Sequence, residues 1–343
     1  MSERNRVVDI TKGIGILLVI LGHIVNNVNI ECLIYMFHMP LFFFLSGVTF
    51  KYLNVKECSF KKYFVKKLKS IMIPYFIFSI LCFFYWWIIE RNLRHQFDVS
   101  ILSNFINIFT CFINGDLYAP NIVMWFLPCL LISQLLFYFI VKVDSEKTKI
   151  LIVLICFILG LFLNHYGIIL PYGIETVFIA IFFIYFGSIF SINKVKFNKK
   201  SAIILFFSII GMIICYFFDY RLNMLGHCYG NPLLFIISSF SGIYVIIYVS
   251  ELFNKYSQKL SYISAYLGKN SLILMMCHEP IKRVNIIIFS KMLGLSSVVI
   301  RQNIIFSFVL TIITIVTLIP FIFLIKKYFP WLLGKKIYKE NVA

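Results

Sequence analysis

An all-α, polytopic membrane helical bundle of about ten transmembrane helices is the fold class this sequence predicts, on three observations. Of its 343 residues 61% are hydrophobic, and mean hydropathy is +0.92. Aromatic residues make up 18% and charged residues only 13%, too few to cover the surface of a soluble domain. The apolar residues fall into long runs, most near the length that crosses a hydrocarbon core of about 30 Å, and the basic residues cluster between them.

The runs cover about 10–28, 32–50, 71–89, 122–141, 150–164, 174–190, 202–218, 232–250, 268–288 and 303–325. They fill 1–343 as a single membrane domain and leave no room for an appended soluble one. An even count puts both termini on one side. With that side cytoplasmic, 25 Lys and Arg fall in the tails and even-numbered loops, and seven (Arg91, Arg94, Arg221, Lys282, Arg283, Lys291, Arg301) face outward. This asymmetry is the positive-inside pattern and predicts cytoplasmic termini. It also accounts for the net charge of +18, so the basic balance points to the lipid bilayer as partner and not to nucleic acid. The nine cysteines are scattered, with no CxxC and no metal-ligand spacing, and read as small hydrophobes in helices. The first run holds Lys12 and His23 and is followed by no small-residue cleavage site, so it stays as a helix.

Asp9, Lys12 and His23 form one polar stripe along the first helix. Lys12 and His23 are eleven residues apart, about three turns or roughly 16 Å on one face. Charged groups in a bilayer cost roughly 2.5–3.5 kcal/mol each and need a reason; a polar pathway is one. Helix 2 brings His38 in from the outer side to a depth similar to that of His23. On the residues alone, His23 is either a hydrogen-bonding helix histidine or a group that does chemistry.

The loop from Lys51 to Lys69 is the densest basic patch. Lys62, Lys66, Lys67 and Lys69 read as a stop-transfer cluster facing anionic lipid, or as a landing site for phosphates. The longest outer segment, 90–121, contains an amphipathic stretch at 101–113 with an interfacial look, and Asp98, Asp116 and Tyr118 are its exposed polar groups. Trp125 opens helix 4 at the outer surface, where tryptophan commonly anchors a helix. The outer turns of helices 5 to 8 carry Asn164, His165, Tyr166, Tyr172, Glu175, Asp219, Arg221, His227 and Asn231, groups suited to a sugar but common in any polar loop. Helix 9 begins at Gly268-Lys269-Asn270-Ser271, where Asn270 or Ser271 is placed to cap it. His278 follows Ser271 by seven residues on the same face, and Pro280 ends or kinks the helix. Phosphate loops, zincin motifs and nucleophile elbows are absent from the sequence.

Five blocks together resemble the acyltransferase-3 family of integral-membrane O-acyltransferases, in particular its sugar O-acetylase-like branch. They are Lys12 with His23 after ten intervening residues, FHMPLFFFLSG from Phe37 to Gly47, KKLKSIMIPY from Lys66 to Tyr75, Trp125-Phe126-Leu127, and GKNSL from Gly268 followed by His278. Many members have Arg where this chain has Lys12, so a point charge replaces a bidentate fork. The resemblance implies transfer of an acetyl group from cytosolic acetyl-CoA, a substrate with no cofactor permanently bound and no metal, to a hydroxyl of a sugar or lipid-linked glycan. It implies the bacterial cytoplasmic membrane as the location. It makes His23 the base, with Lys12 holding the donor, Asp9 balancing Lys12, and Lys62, Lys66, Lys67 and Lys69 recruiting coenzyme-A phosphates. His38, Trp125, Asn270, Ser271 and His278 would line the acceptor side. A transporter or flippase of a lipid-linked sugar would also need ten helices and a polar path, but not the Lys12–His23 block or the FHMPLFF helix.

Overall fold

Asn5 sets where the first helix begins. Its side chain accepts from the amides of Val7 and Val8, so in the computed structural model of the chain α1 runs Arg6–Ile24, earlier than the predicted 10–28. Asp9 sits in its first turn, where a carboxylate meets the positive end of the helix dipole. The structure describes residues 5–50, 58–111, 120–192, 195, 197–218 and 222–334. Asp116, Tyr118, Asp219, Arg221 and the first part of the basic loop, 51–57, lie outside them.

Helix α2 (Val28–Phe50) starts at an Asn27 cap and is broken at Met36 and Phe37. Pro40 has no amide to donate and its ring clashes with the carbonyl four residues back, which is that of Met36; the helix resumes at His38. Helix α3 (Phe60–Leu93) is 34 residues long where 71–89 was expected. It contains two π-helical turns, Leu68–Met72 and Trp86–Glu90, the first placed where it accommodates Pro74. Thirty-four residues at 1.5 Å each give about 50 Å, more than the roughly 30 Å apolar layer, so its lysine-bearing first turns project beyond it. From Phe60 on, the expected basic loop is therefore helix. Lysine favours helix and carries no hydrophobic period, so apolar counting alone does not find these turns.

Helix α4 (Ile101–Thr110) stops at Cys111, whose φ is +47°, short of the predicted 113. Its polarity is inside out. Asn104 and Asn107 are buried, while Leu102 (67%) and Ile106 (47%) are exposed, as suits a helix whose outer face meets lipid. Helices α5 (Ile122–Lys142), α6 (Glu146–His165), α7 (Pro171–Ile189), α8 (Lys199–Phe218) and α9 (Pro232–Tyr256) follow the predicted runs closely. A helix the apolar runs did not show, α10 (Gln258–Lys269), precedes α11 (Ser271–Leu293). The short α12 (Ser297–Gln302) and α13 (Ile304–Tyr328) complete the order.

Among the described residues nine helices are long and apolar enough to cross a membrane. Helix α11 is as long, 23 residues, but carries Glu279, Lys282 and Arg283. The chain is an all-α, multi-pass membrane bundle. Its helices alternate direction, so one end gathers the starts of α1, α3, α6 and α8 with most of the lysines, and we call it the basic end.

Helix α1 is central, touching α2, α9, α10, α11 and α13. Its tightest contact is with α10. A Cβ on Gly13 would stand 1.9 Å from the Ser264 carbonyl oxygen, and one on Gly268 would stand 1.8 Å from that of Asp9. Only glycine lets the two backbones approach so closely, the usual device where apolar burial cannot drive helices together.

The basic residues expected in outer loops are mostly not free loop charges. Lys282 donates to the His23 carbonyl at 2.7 Å and pairs with Glu279 at 2.8 Å. Arg283 bridges Glu90 at 2.6 Å and Glu279 at 3.0 Å. Arg94 reaches Glu90 at 3.2 Å, and Arg301 donates to the Ile24 carbonyl at 2.7 Å. These cations pin the ends of α1 and α3 that lie opposite the basic end to α11 and α12.

Candidate active site

Five helices and one loop segment wall a cavity of about 290 Å³ along α1. Helix α1 supplies Lys12 and His23, α2 supplies Tyr35, His38 and Ser46, and α3 supplies Lys67 and Ser70. The α5 region adds Trp125, Phe126 and Gln134, with Ser271 from α11. Asn223 and Leu225, from the segment between α8 and α9, reach it from the opposite end.

The helical rise separates two polar clusters. At the basic end stand Lys12, Lys67, Ser70 and Ser271; roughly 16 Å along α1 stand His23, Tyr35 and His38. The Tyr35 ring lies between the two histidines, 6.3 Å from His23 and 5.0 Å from His38, and its hydroxyl donates to the Gly22 carbonyl at 2.9 Å. His38 Nδ1 is 3.1 Å from the Ile34 carbonyl, which places its proton on Nδ1 and leaves Nε2 as the acceptor. The break before His38 is what turns this imidazole inward.

His23 occupies the last turn of α1, nearer the helix end than a 10–28 helix would put it. It is still inside protein, because α11 continues to Leu293 past the level where Lys282 meets the His23 carbonyl. The ring of His278 lies 5.5 Å from that of His23. His278 is fully buried; its Nδ1 faces the carbonyls of Leu274 and Met275 at 3.0 and 2.9 Å, and its Nε2 has no hydrogen-bond partner among the described residues. Beside it, Glu279 is held by Lys282 and Arg283, so a fixed negative charge backs the pair of imidazoles.

Of the expected site residues, Lys12, His23, His38, Lys67, Trp125 and Ser271 meet at this cavity, and His278 stands behind His23. The others lie elsewhere. Asp9 is buried at the α1–α10 contact and is not among the lining residues. Lys62, Lys66 and Lys69 are exposed on α3. Asn270 precedes α11 but makes no side-chain cap; its amide donates back to the Tyr266 carbonyl at 2.8 Å, because α10 ends directly before it.

Sequence reasoning missed Tyr35, Ser46, Gln134, Asn223 and the Glu90–Glu279–Lys282–Arg283 cluster. The last had a signal: Glu279, Lys282 and Arg283 are spaced three and four apart, which pairs charges on one helix face. Asn223 had none, since only the closed loop around the Asn223–Cys228 bridge turns it inward. That loop is tied down by His227, whose Nδ1 meets Asn164 Oδ1 at 2.9 Å and whose Nε2 lies 3.8 Å from Glu175. Burial lowers the His227 pKa below its ordinary value near 6.5.

Comparison with known proteins finds a family model described as an acyltransferase domain, matching residues 5–325. No curated protein and no solved structure matches the chain.

Proposed function

The chain belongs to the acyltransferase-3 family of membrane acyltransferases, and from that premise we propose that it moves an acetyl group from cytosolic acetyl-CoA to a hydroxyl of a cell-envelope or exported polysaccharide, as a member of the sugar O-acetylase-like branch. The observation that carries this reading is the single cavity with cations at one end and imidazoles at the other. The basic end faces the cytoplasm of a bacterial inner membrane. There Lys62, Lys66 and Lys69 raise the local concentration of an anionic donor, and Lys12 and Lys67 hold its phosphates, with Asp9 balancing Lys12 from one turn below. The acetyl thioester extends toward His23. The sugar enters from the other end, past Trp125, His38 and Asn223.

The chemistry asks for a base and for stabilised charge. Neutral His23 takes the proton of the acceptor hydroxyl as its oxygen attacks the thioester carbonyl. The carbon–sulfur bond breaks, the coenzyme leaves as thiolate, and the imidazolium returns its proton to sulfur. Glu279, held by Lys282 and Arg283, offsets the repulsion that the Lys282 cation at the His23 carbonyl would exert on an imidazolium there.

Mass spectrometry of envelope polysaccharide from cells with and without this chain tests the reaction. Acetyl esters that disappear with the chain and return with its expression are the expected result. Unchanged acylation contradicts it.

A further inference from the structure

One polar pair in the cavity belongs to neither cluster used above. Gln134 of α5 and Ser46 of α2 both face the cavity and are 6% and 8% exposed. Gln134 Nε2 donates to Ser46 Oγ at 2.6 Å, and Gln134 Oε1 is buried with no hydrogen-bond partner among the described residues. Exchanging the two ends of the amide changes nothing essential: Ser46 satisfies one end and the other stays unpaired. Phe42, Phe126 and Leu130 line the same cavity, and Thr49, one turn from Ser46, spends its hydroxyl on the Leu45 and Ser46 carbonyls, so no described side chain completes the pair. A buried amide left half-satisfied against an apolar wall calls for a ligand with its own donor or acceptor.

Its place along the cavity narrows the choice. Ser46 follows His38 by eight residues on α2, about 12 Å at helical rise. The pair thus stands between the imidazoles and the lysines, nearer the lysines. We propose that Gln134, held by Ser46, is a donor-recognition rung that hydrogen-bonds an amide at the pantoyl end of a pantetheine arm. Such an arm carries two amides and a hydroxyl between its thioester and its phosphates. A donor with a plain hydrocarbon tail would leave the Gln134 amide unpaired, so the rung selects a coenzyme-A thioester over a lipid-borne acyl group. The assignment rests on the acyl-CoA reading above, and its test separates the two.

Binding to the purified full-length protein is measured with two probes. Desulfo-coenzyme A carries the whole arm and no sulfur, and adenosine 3′,5′-bisphosphate carries two of the three phosphates and no arm. Wild type is expected to bind both. Gln134→Leu should weaken desulfo-coenzyme A by about tenfold, the scale of one hydrogen bond, and leave the bisphosphate unchanged; Ser46→Ala should shift the same probe in the same direction by less. If Gln134→Leu loses both probes, Gln134→Met is measured, and equal loss of both probes there overturns the rung. Wild-type affinity of Gln134→Leu for desulfo-coenzyme A also overturns it. A wild-type protein that binds neither probe overturns the donor reading itself, and the rung with it.

Discussion

His23 has an unusual setting for a helix-terminal histidine. Its carbonyl takes a hydrogen bond from buried Lys282, its ring meets His278 and Tyr35, and it opens on a cavity that continues to Lys12. The carboxylate of Glu279 holds this corner together, since it compensates both Lys282 and Arg283. Glu279→Gln keeps the shape but leaves two cations partly unpaired. Breaking a buried pair costs on the order of 3–5 kcal/mol, so this variant should unfold at a clearly lower temperature in detergent, and an unchanged melting curve would contradict the account. His227 gives a pH prediction with a fixed sign. Burial depresses its pKa, so the stability it contributes is complete above the ordinary value near 6.5 and is lost as pH falls below that. Acidification from pH 7.5 to 5.5 should lower the melting temperature, and His227→Gln should make that dependence shallower. The Lys12–His23 line was legible in the sequence because both residues share one helix, where spacing alone fixes geometry. Tyr35 and Gln134 were not, because their partners come from other helices, whereas Glu279 pairs within its own helix at a spacing the sequence does show. Asn270 was misread as a cap because the helix before it could not be seen.

Two elements decide how a charged donor would meet the cavity. Helix α3 begins as an exposed basic helix, and of its expected phosphate contacts only Lys67 lines the cavity; Lys62, Lys66 and Lys69 face outward. Replacing all four by Gln should weaken binding of desulfo-coenzyme A, with Lys67→Gln alone giving most of the loss. The remainder should fade as salt rises, since exposed charges are screened within about 8 Å at physiological ionic strength. Unchanged donor affinity in the quadruple variant would return the cluster to a stop-transfer role facing anionic lipid. Helix α10 acts through its glycine contact, where any side chain at Gly13 meets the Ser264 carbonyl. Gly13→Leu should abolish folded expression while Ile14→Leu, on the same turn, is tolerated; a well-folded Gly13→Leu protein would refute this packing. Apolar runs marked the membrane crossings well, because burial in lipid demands length and hydrophobicity. They missed α10 and the start of α3, which are helices with too little apolar surface to register, and they overlooked the break in α2, which Pro40 signals by its chemistry and not by hydropathy.

Across the whole molecule, among the described residues, charge runs from a basic end rich in exposed lysines to an opposite end whose cations are largely taken up by Glu90, Glu279 and backbone carbonyls. The excess of Lys and Arg at the basic end is the positive-inside pattern, which predicts cytoplasmic termini. In a cysteine-free background, a single cysteine at position 62 should be labelled only after the membrane is opened, and labelling from outside intact cells would reverse the orientation. In the proposed orientation the cation-lined end of the cavity is inside and the Trp125–Asn223 end outside, so the proposed donor and acceptor would meet at His23, which makes that imidazole the test of the whole account. His23→Gln keeps volume and hydrogen-bonding capacity and removes the titrating nitrogen. Loss of a positioned base costs on the order of 10²–10⁴ in rate. The direct measurement is acetylation of envelope polysaccharide in cells that express His23→Gln in place of wild type, with desulfo-coenzyme A binding to the purified variant as control. The account predicts normal expression, unchanged donor binding and acetylation nearly abolished; a His23→Gln protein that acetylates at the wild-type rate would contradict it.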